Sequence, residues 1–397
     1  MFALLPVDMV NGILLKNNVD LPISLGQFYK FFILVFLFIR FFFKPKLLIT
    51  SLLIGLLLLT PSISQLLTDD QSSFLFKDII KITKYLTPFF CFLFFVEFIE
   101  NSNDYANRKL MQLVRFSFTV LVINIFLKYV GLGYPSYEHG NIGSKGFFFA
   151  GNELSALLII LSSILGFKLW LNGKKKSYYL FLILNLLAGL TISSKTAILG
   201  IILIFFAIPF YKKAFNPKKL IALVASLVVF LPIVFFASWK FIQNSALILR
   251  IQYFYDKFDF WTFILSSRNT YLQNSFETYW KDYNILEKLI GVGQTKYEYL
   301  NGHKVVEMDI IDIFFAYGFL GIILFIIMLI YVIVQAKRFS ITSDRPFASL
   351  VLLMVAILMI ISTIVGHVFG AGMSAVFIGL LFSLMYLKQP QWNLDVM

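Results

Sequence analysis

Residues 306 to 321 read VEMDIIDIFFAYGFLG, and from Ile313 the chain carries no charged side chain until Lys337. An α-helix needs about 20 consecutive apolar residues to cross the hydrocarbon core of a bilayer. The stretch therefore predicts a membrane helix, entered through three carboxylates, Glu307, Asp309 and Asp312. What precedes it, residues 239–306, is the one long polar interruption in an otherwise apolar chain.

Working outward, 59% of the 397 residues are hydrophobic, 18% are aromatic and only 14% are charged. A soluble fold cannot cover that much apolar surface, so the chain is expected to be a polytopic membrane protein. In hydrocarbon the backbone satisfies its own hydrogen bonds, as helices or as a closed barrel. The apolar runs are long and do not alternate, which selects helices. Spans are expected at 1–15, 28–43, 47–66, 76–99, 110–130, 147–171, 178–193, 196–211, 219–238, 307–334, 347–365 and 371–387. The first is short and also fits a half-helix lying at the interface. The fold class is all-α: about twelve transmembrane helices with one large extracytoplasmic loop. Helices one to nine occupy 1–238, the loop 239–306, and helices ten to twelve 307–397.

The net charge of +13 does not point to nucleic acid. Its basic residues cluster at alternate ends of successive helices: Lys44/Lys46, Arg108/Lys109, Lys174 to Lys176, Lys212/Lys213/Lys218/Lys219 and Lys337/Arg338. The positive-inside rule puts these clusters, and both termini, in the cytoplasm. The polar segment is then outside. Lys77, Lys81, Lys84, Lys128 and Lys145 run against this pattern. Cys91 stands alone in an apolar run, which excludes a disulfide framework. MFALLPVDMVNGILL lacks a basic start, so no cleavable signal peptide is read there. The cytoplasmic turns have no room for a phosphate-binding loop or nucleotide domain. No internal repeat is visible, which weighs against a transporter or flippase.

Several residues are candidates for chemistry outside the cytoplasm. Arg268, in SSRNTYLQNSFETYW (266–280), suits a phosphate or diphosphate, which a guanidinium grips with two hydrogen bonds. It also fits a lipid-headgroup contact. Asp309 and Asp312 share a helix face. With Glu307 they read either as a base for a hydroxyl and sugar-binding groups, or as charges stabilising a helix N-terminus. Ser194 and Lys195, in TISSKTAILG, form a small anion pocket, or the lysine snorkels to the interface. Lys77, Lys81 and Lys84 line one helix face, as a lipid-phosphate stripe or as a cationic wall for a lipid-linked diphosphate. Asn152 and Glu153 open an apolar helix, as N-terminal charge or as part of a polar cavity. His139, His303 and His367 are isolated, so neither metal nor cofactor is expected.

The order of these motifs resembles the O-antigen ligase and Wzy polysaccharide polymerase family over most of the chain. The correspondence runs through Asn152-Glu153, Ser194-Lys195, Arg268, Gly291-Val292-Gly293, the helix opening at Glu307 to Asp312, and Gly318 to Gly321. Ligases of that family carry a histidine where Glu307 stands and an arginine where Lys195 stands. The Glu-Met-Asp form is similar to polymerase members. The resemblance implies a GT-C type fold in the cytoplasmic (inner) membrane and metal-independent, inverting glycosyl transfer. The donor would be a polyprenyl-diphosphate-linked oligosaccharide and the acceptor a growing polysaccharide, with a chain-length regulator and a flippase as partners. Arg268, Glu307, Asp309 and Asp312 are then the expected catalytic set. Lys195, Ser194, Lys84, Lys81, Asn152 and Glu153 are the expected binding set. Transfer of finished glycan to another acceptor is the alternative outcome.

Overall fold

The computed structural model describes residues 1–388 except 20, 22–23, 70–71, 138–140, 149–150, most of 214–245, 343, 365 and 367. Most of the span expected at 219–238 lies outside the described residues. Among them, regular structure is helical, apart from two isolated bridges, Tyr134 with Gly146 and Tyr137 with Ile142.

The apolar first half forms α1 (Leu4–Lys16), α2 (Leu25–Phe42), α3 (Pro45–Asp69), α4 (Ser72–Asn101), α5 (Asn103–Phe126), α6 (Gly151–Leu171), α7 (Lys175–Ile192) and α8 (Lys195–Ala207). The polar segment is not an open loop. It folds into α9 (Ala246–Lys257), α10 (Phe260–Leu265), α11 (Arg268–Asp282), α12 (Ile285–Ile290) and α13 (Gln294–Leu300). The chain then forms α14 (Asp309–Ser340), α15 (Phe347–Ile364) and α16 (Ala375–Ser383).

Among the described residues, six helices are long and apolar enough to cross a membrane: α2, α3, α4, α5, α6 and α14. Shorter apolar helices lie at Lys195–Tyr211, Phe347–Thr363 and Ala375–Tyr386. Several expected starts shift. The helices expected from 76 and 110 begin earlier, at Ser72 and Asn103. The helix expected from 147 begins at Gly151 and the one expected from 371 at Ala375, because residues 141–148 and 368–374 form turns instead.

Helix α6 runs through the main core. It is apolar on every face, as a buried helix must be, and Leu154 and Leu157 to Leu161 are fully buried. It packs on α5, α7, α8, α15 and α16, and α16 also packs closely on α4. A second, smaller core joins the polar segment to the bundle. It is aromatic: Tyr279, Tyr297 and Phe315 are buried, with Tyr279 4.9 Å from Phe314 and Tyr297 5.6 Å from Phe315, ring centre to centre.

The Gly291-Val292-Gly293 turn locks the segment onto α14. The Gly293 amide donates to the Ala316 carbonyl at 2.8 Å. Opposite, Gly318 breaks α14 with φ 59° and ψ −159°. A Cβ there would lie 2.5 Å from the Leu289 carbonyl oxygen and 2.6 Å from the Gly291 nitrogen. Two backbones pass at contact distance, at an angle that only glycine adopts readily.

Candidate functional site

Helix α10 ends and α11 begins through Ser266 and Ser267, both left-handed (φ 53° and 67°). This double reversal turns the Arg268 side chain inward, where it is only 8% exposed. A buried guanidinium needs partners. Its Nη1 donates to the Leu265 carbonyl at 3.3 Å, its Nε to the Glu307 carbonyl at 3.2 Å, and its Nη2 to Glu307 Oε2 at 2.8 Å.

Glu307 is itself left-handed, at φ 63°. Such a backbone at a non-glycine residue costs about 1–3 kcal/mol and persists where its surroundings enforce it. The enforcement comes from Asp312. Its carboxylate accepts the amides on either side of Glu307, Val306 at 3.0 Å and Met308 at 3.1 Å. It also accepts the Tyr297 hydroxyl at 2.8 Å. Burial, reinforced by the Asp312 charge, pushes the Tyr297 phenol well above its ordinary value, so it remains a donor. The Glu307 carboxylate stays 40% exposed.

Asp309 does different work. Its Oδ2 accepts the Val368 and Phe369 amides at 2.7 and 2.9 Å and the Ser362 hydroxyl at 2.8 Å, and its Oδ1 accepts the Gly370 amide at 3.1 Å. It fixes the turn before α16. Gly366, before that turn, backs directly on the Glu307 carbonyl and Arg268 Nε. Of the three acids, Glu307 alone combines exposure with contact to Arg268.

Lys195 is the first residue of α8, and its Nζ lies 4.3 Å from the centre of the Phe263 ring. Phe263 sits on α10, two residues before Leu265, so the short helix links Lys195 to Arg268. Ser194 caps α8: its Oγ accepts the Ala197 amide at 3.4 Å and the Ser155 hydroxyl at 2.8 Å.

The lysine stripe divides. Lys81 pairs with Glu298 of α13 at 2.7 Å. Lys84 lines a separate cavity of about 490 Å³, with Asp8, Lys30, Glu153 and Met373. There Lys30 pairs with Asp8 at 3.2 Å, and Glu153 accepts the Met373 amide at 2.7 Å. The side chain of Asn152, and His139 and His367, lie outside the described positions. The remaining turn, residues 368–373, ties this cavity to Asp309 and so to the Arg268–Glu307 pair.

Sequence reasoning passed over Asp78. It is buried on α4, accepting the Thr295 amide at 2.6 Å and the Ser62 hydroxyl, and so anchors the start of α13. The signal was present: a carboxylate amid lysines, about a quarter-turn round the helix from the centre of their stripe, in an apolar helix. Among the described residues no group of three His, Cys, Asp or Glu side chains is placed to hold a metal ion.

The family described as O-antigen ligase like membrane protein matches residues 46–249 and 250–389. The chain belongs to that family. It is a multi-pass membrane protein of a glycan-transferring kind, and the match covers Arg268, Glu307 and Lys195 alike. No curated protein and no solved structure shows a significant match.

Proposed function

We propose that this O-antigen ligase like protein is a polysaccharide polymerase, joining oligosaccharide repeats carried on a polyprenyl diphosphate. The supporting observation is the buried Arg268 facing the half-exposed Glu307. On this reading the chain crosses the inner membrane twelve times in a GT-C-like arrangement. The basic turns stay in the cytoplasm and the α9–α13 segment stands outside. Nucleotide sugars are absent there, so an activated sugar arrives on lipid.

The donor diphosphate is an anion beside a guanidinium. It displaces the Glu307 carboxylate from Arg268 and takes a bidentate pair in its place. Lys195, across α10, adds a second positive charge. The freed Glu307 carboxylate accepts the proton of the attacking sugar hydroxyl. That oxygen bonds to the anomeric carbon from the face opposite the leaving group, and the configuration inverts. The bond from the anomeric carbon to the phosphate oxygen breaks, and its electron pair stays on the diphosphate. Arg268 and Lys195 stabilise that growing charge. Asp309 and Asp312 act as positioning residues.

The family description favours a second reading, transfer of finished glycan to a different acceptor. Both are tested by incubating purified protein with polyprenyl-diphosphate oligosaccharide and sizing the products. A ladder of added repeats is expected from the native chain. Arg268→Ala should insert and fold but extend about 100-fold or more slowly than the native chain. One chain moved whole to a new carrier supports the ligase reading, and long polymer made by Arg268→Ala overturns both.

A further inference from the structure

A polar cleft of about 370 Å³ lies between α11 and residues 300–305. One wall is a single face of α11, carrying Tyr271, Asn274 and Thr278. These recur at helical spacing, and the row begins at Arg268. The other wall is Asn301 to Val305, which leads in two residues to Glu307. The two walls therefore converge on the two members of the candidate pair. A helix rises about 1.5 Å per residue, so Tyr271 stands roughly 4.5 Å along α11 from Arg268 and Thr278 roughly 15 Å.

The polar part of the lining is hydroxyls and carboxamides, with Lys304 its one charged member, and Leu300 and Val305 add apolar surface beside them. Its floor is fixed before anything binds, because the Ser275 hydroxyl donates to Asn301 Oδ1 at 3.0 Å and the Asn301 amide donates to the Tyr297 carbonyl at 2.9 Å. Lys304 is held over Tyr271, 5.2 Å from the ring centre, with Nζ 3.4 Å from the phenol oxygen. Asn274 is exposed and Thr278 half-buried. A phosphate would want clustered cations and a lipid tail an apolar wall. Neutral donors and acceptors on a preset floor suit a ligand made of hydroxyl groups.

We propose that this cleft is a saccharide subsite, holding the sugar units of the acceptor glycan next to the one that reacts. It rests on the glycosyl-transfer reading and adds to it where the acceptor lies. Sugars seated along α11 present their terminal hydroxyl at the Arg268 end, toward Glu307.

The test uses the full chain in detergent. The probe is oligosaccharide released by mild acid from the surface polysaccharide of the source cells, and binding is read by equilibrium dialysis. The native chain and Arg268→Ala should both bind it. The double variant Asn274→Ala/Thr278→Val should bind about tenfold more weakly, since it loses two polar contacts. Neither position is fully buried, so its melting midpoint should match the native chain. In the transfer assay the double variant should need about tenfold more acceptor for half-maximal rate, with kcat within about threefold. Equal binding by the double variant, or no binding by the native chain, overturns the subsite. If the dialysis contrast holds while the native chain transfers nothing, the subsite stands and the polymerase reading falls. Transfer indifferent to the double variant has the opposite consequence.

Discussion

Asp312→Asn separates holding Glu307 in place from reacting with substrate. The Asp312 side chain is buried, and its two oxygens accept hydrogen bonds from Tyr297, Val306 and Met308. An amide in the same position keeps one oxygen, for Tyr297 and Val306. Its NH2 then meets the Met308 N–H, donor to donor. A hydrogen bond to a charged group contributes about 1.5–3 kcal/mol, and an orphaned buried donor costs about 1–3 kcal/mol, so residues 306–308 lose roughly 3–5 kcal/mol of local hold. Keeping Glu307 left-handed itself costs about 1–3 kcal/mol. The remaining hold no longer exceeds that strain by much, and the carboxylate relaxes away from Arg268. If about 3 kcal/mol is lost from the working pose, transfer slows about 100-fold, at about 1.4 kcal/mol per tenfold.

The assay is the initial rate of glycan extension, beside the melting midpoint at one heating rate. Asp312→Asn should slow extension about 100-fold. Glu307→Gln should abolish it, because an amide does not take the hydroxyl proton. An Asp312→Asn protein that melts earlier yet works at the native rate refutes the positioning argument. A Glu307→Gln protein that keeps the native rate, beside an Asp312→Asn protein that extends nothing, makes Asp312 the base.

Two further substitutions test the frame around the site. Gly318→Ala puts a Cβ against the Leu289 carbonyl and the Gly291 amide in a conformation nearly closed to side chains; it should cost about 3 kcal/mol or more, read as an earlier melting midpoint and loss of transfer, and native behaviour would refute the locked-backbone account. Glu287→Gln tests the tie between α12 and α3. Burial raises the Glu287 carboxyl, but hydrogen bonds from the Asn284 amide, Gln65 and Lys296 outweigh it and leave it below the ordinary 4.5. A depressed folded value means the ionised group contributes stability above about pH 4.5 that is lost as pH falls through the folded value. The gap in melting midpoint between native and Glu287→Gln protein should thus close in acid, and a gap that widens there contradicts the assignment.

The all-helical class and the rough position of the long apolar helices were legible because hydrocarbon leaves so few options. Runs such as Ile313–Val334 declare themselves by length alone. The interior of the polar segment was not legible in the same way. Its five helices are short, and nothing local marks Tyr279, Tyr283 and Tyr297 as core, because Phe314 and Phe315, which they pack on or hydrogen-bond, lie on α14. Yet local signals were there. Asn284 and Glu287 form a capping box at α12, and Asp259 caps α10 through the Trp261 and Thr262 amides. What sequence withheld were the long-range ties. Nothing near Lys81 names Glu298 as its partner, and nothing near Asp309 points 60 residues ahead to Phe369.

The three acids at the head of α14 show why spacing alone misassigns roles. By spacing alone, helix-terminal charge stabilisation suits Glu307, the first of them, better than Asp312, one turn deeper. The backbone reverses this. Glu307 precedes the helix in a left-handed conformation, which swings its carboxylate out toward Arg268. Asp312 reaches back over the helix start and takes up the amides there. Asp309 faces the turn before α16. A carboxylate surrounded by amide donors is held in one place and spent on structure. A carboxylate with a single, displaceable guanidinium partner and open solvent on its other side keeps the freedom to exchange that partner for a phosphate and to take a proton. By that criterion Glu307, and neither aspartate, is the acid through which this site meets its substrate.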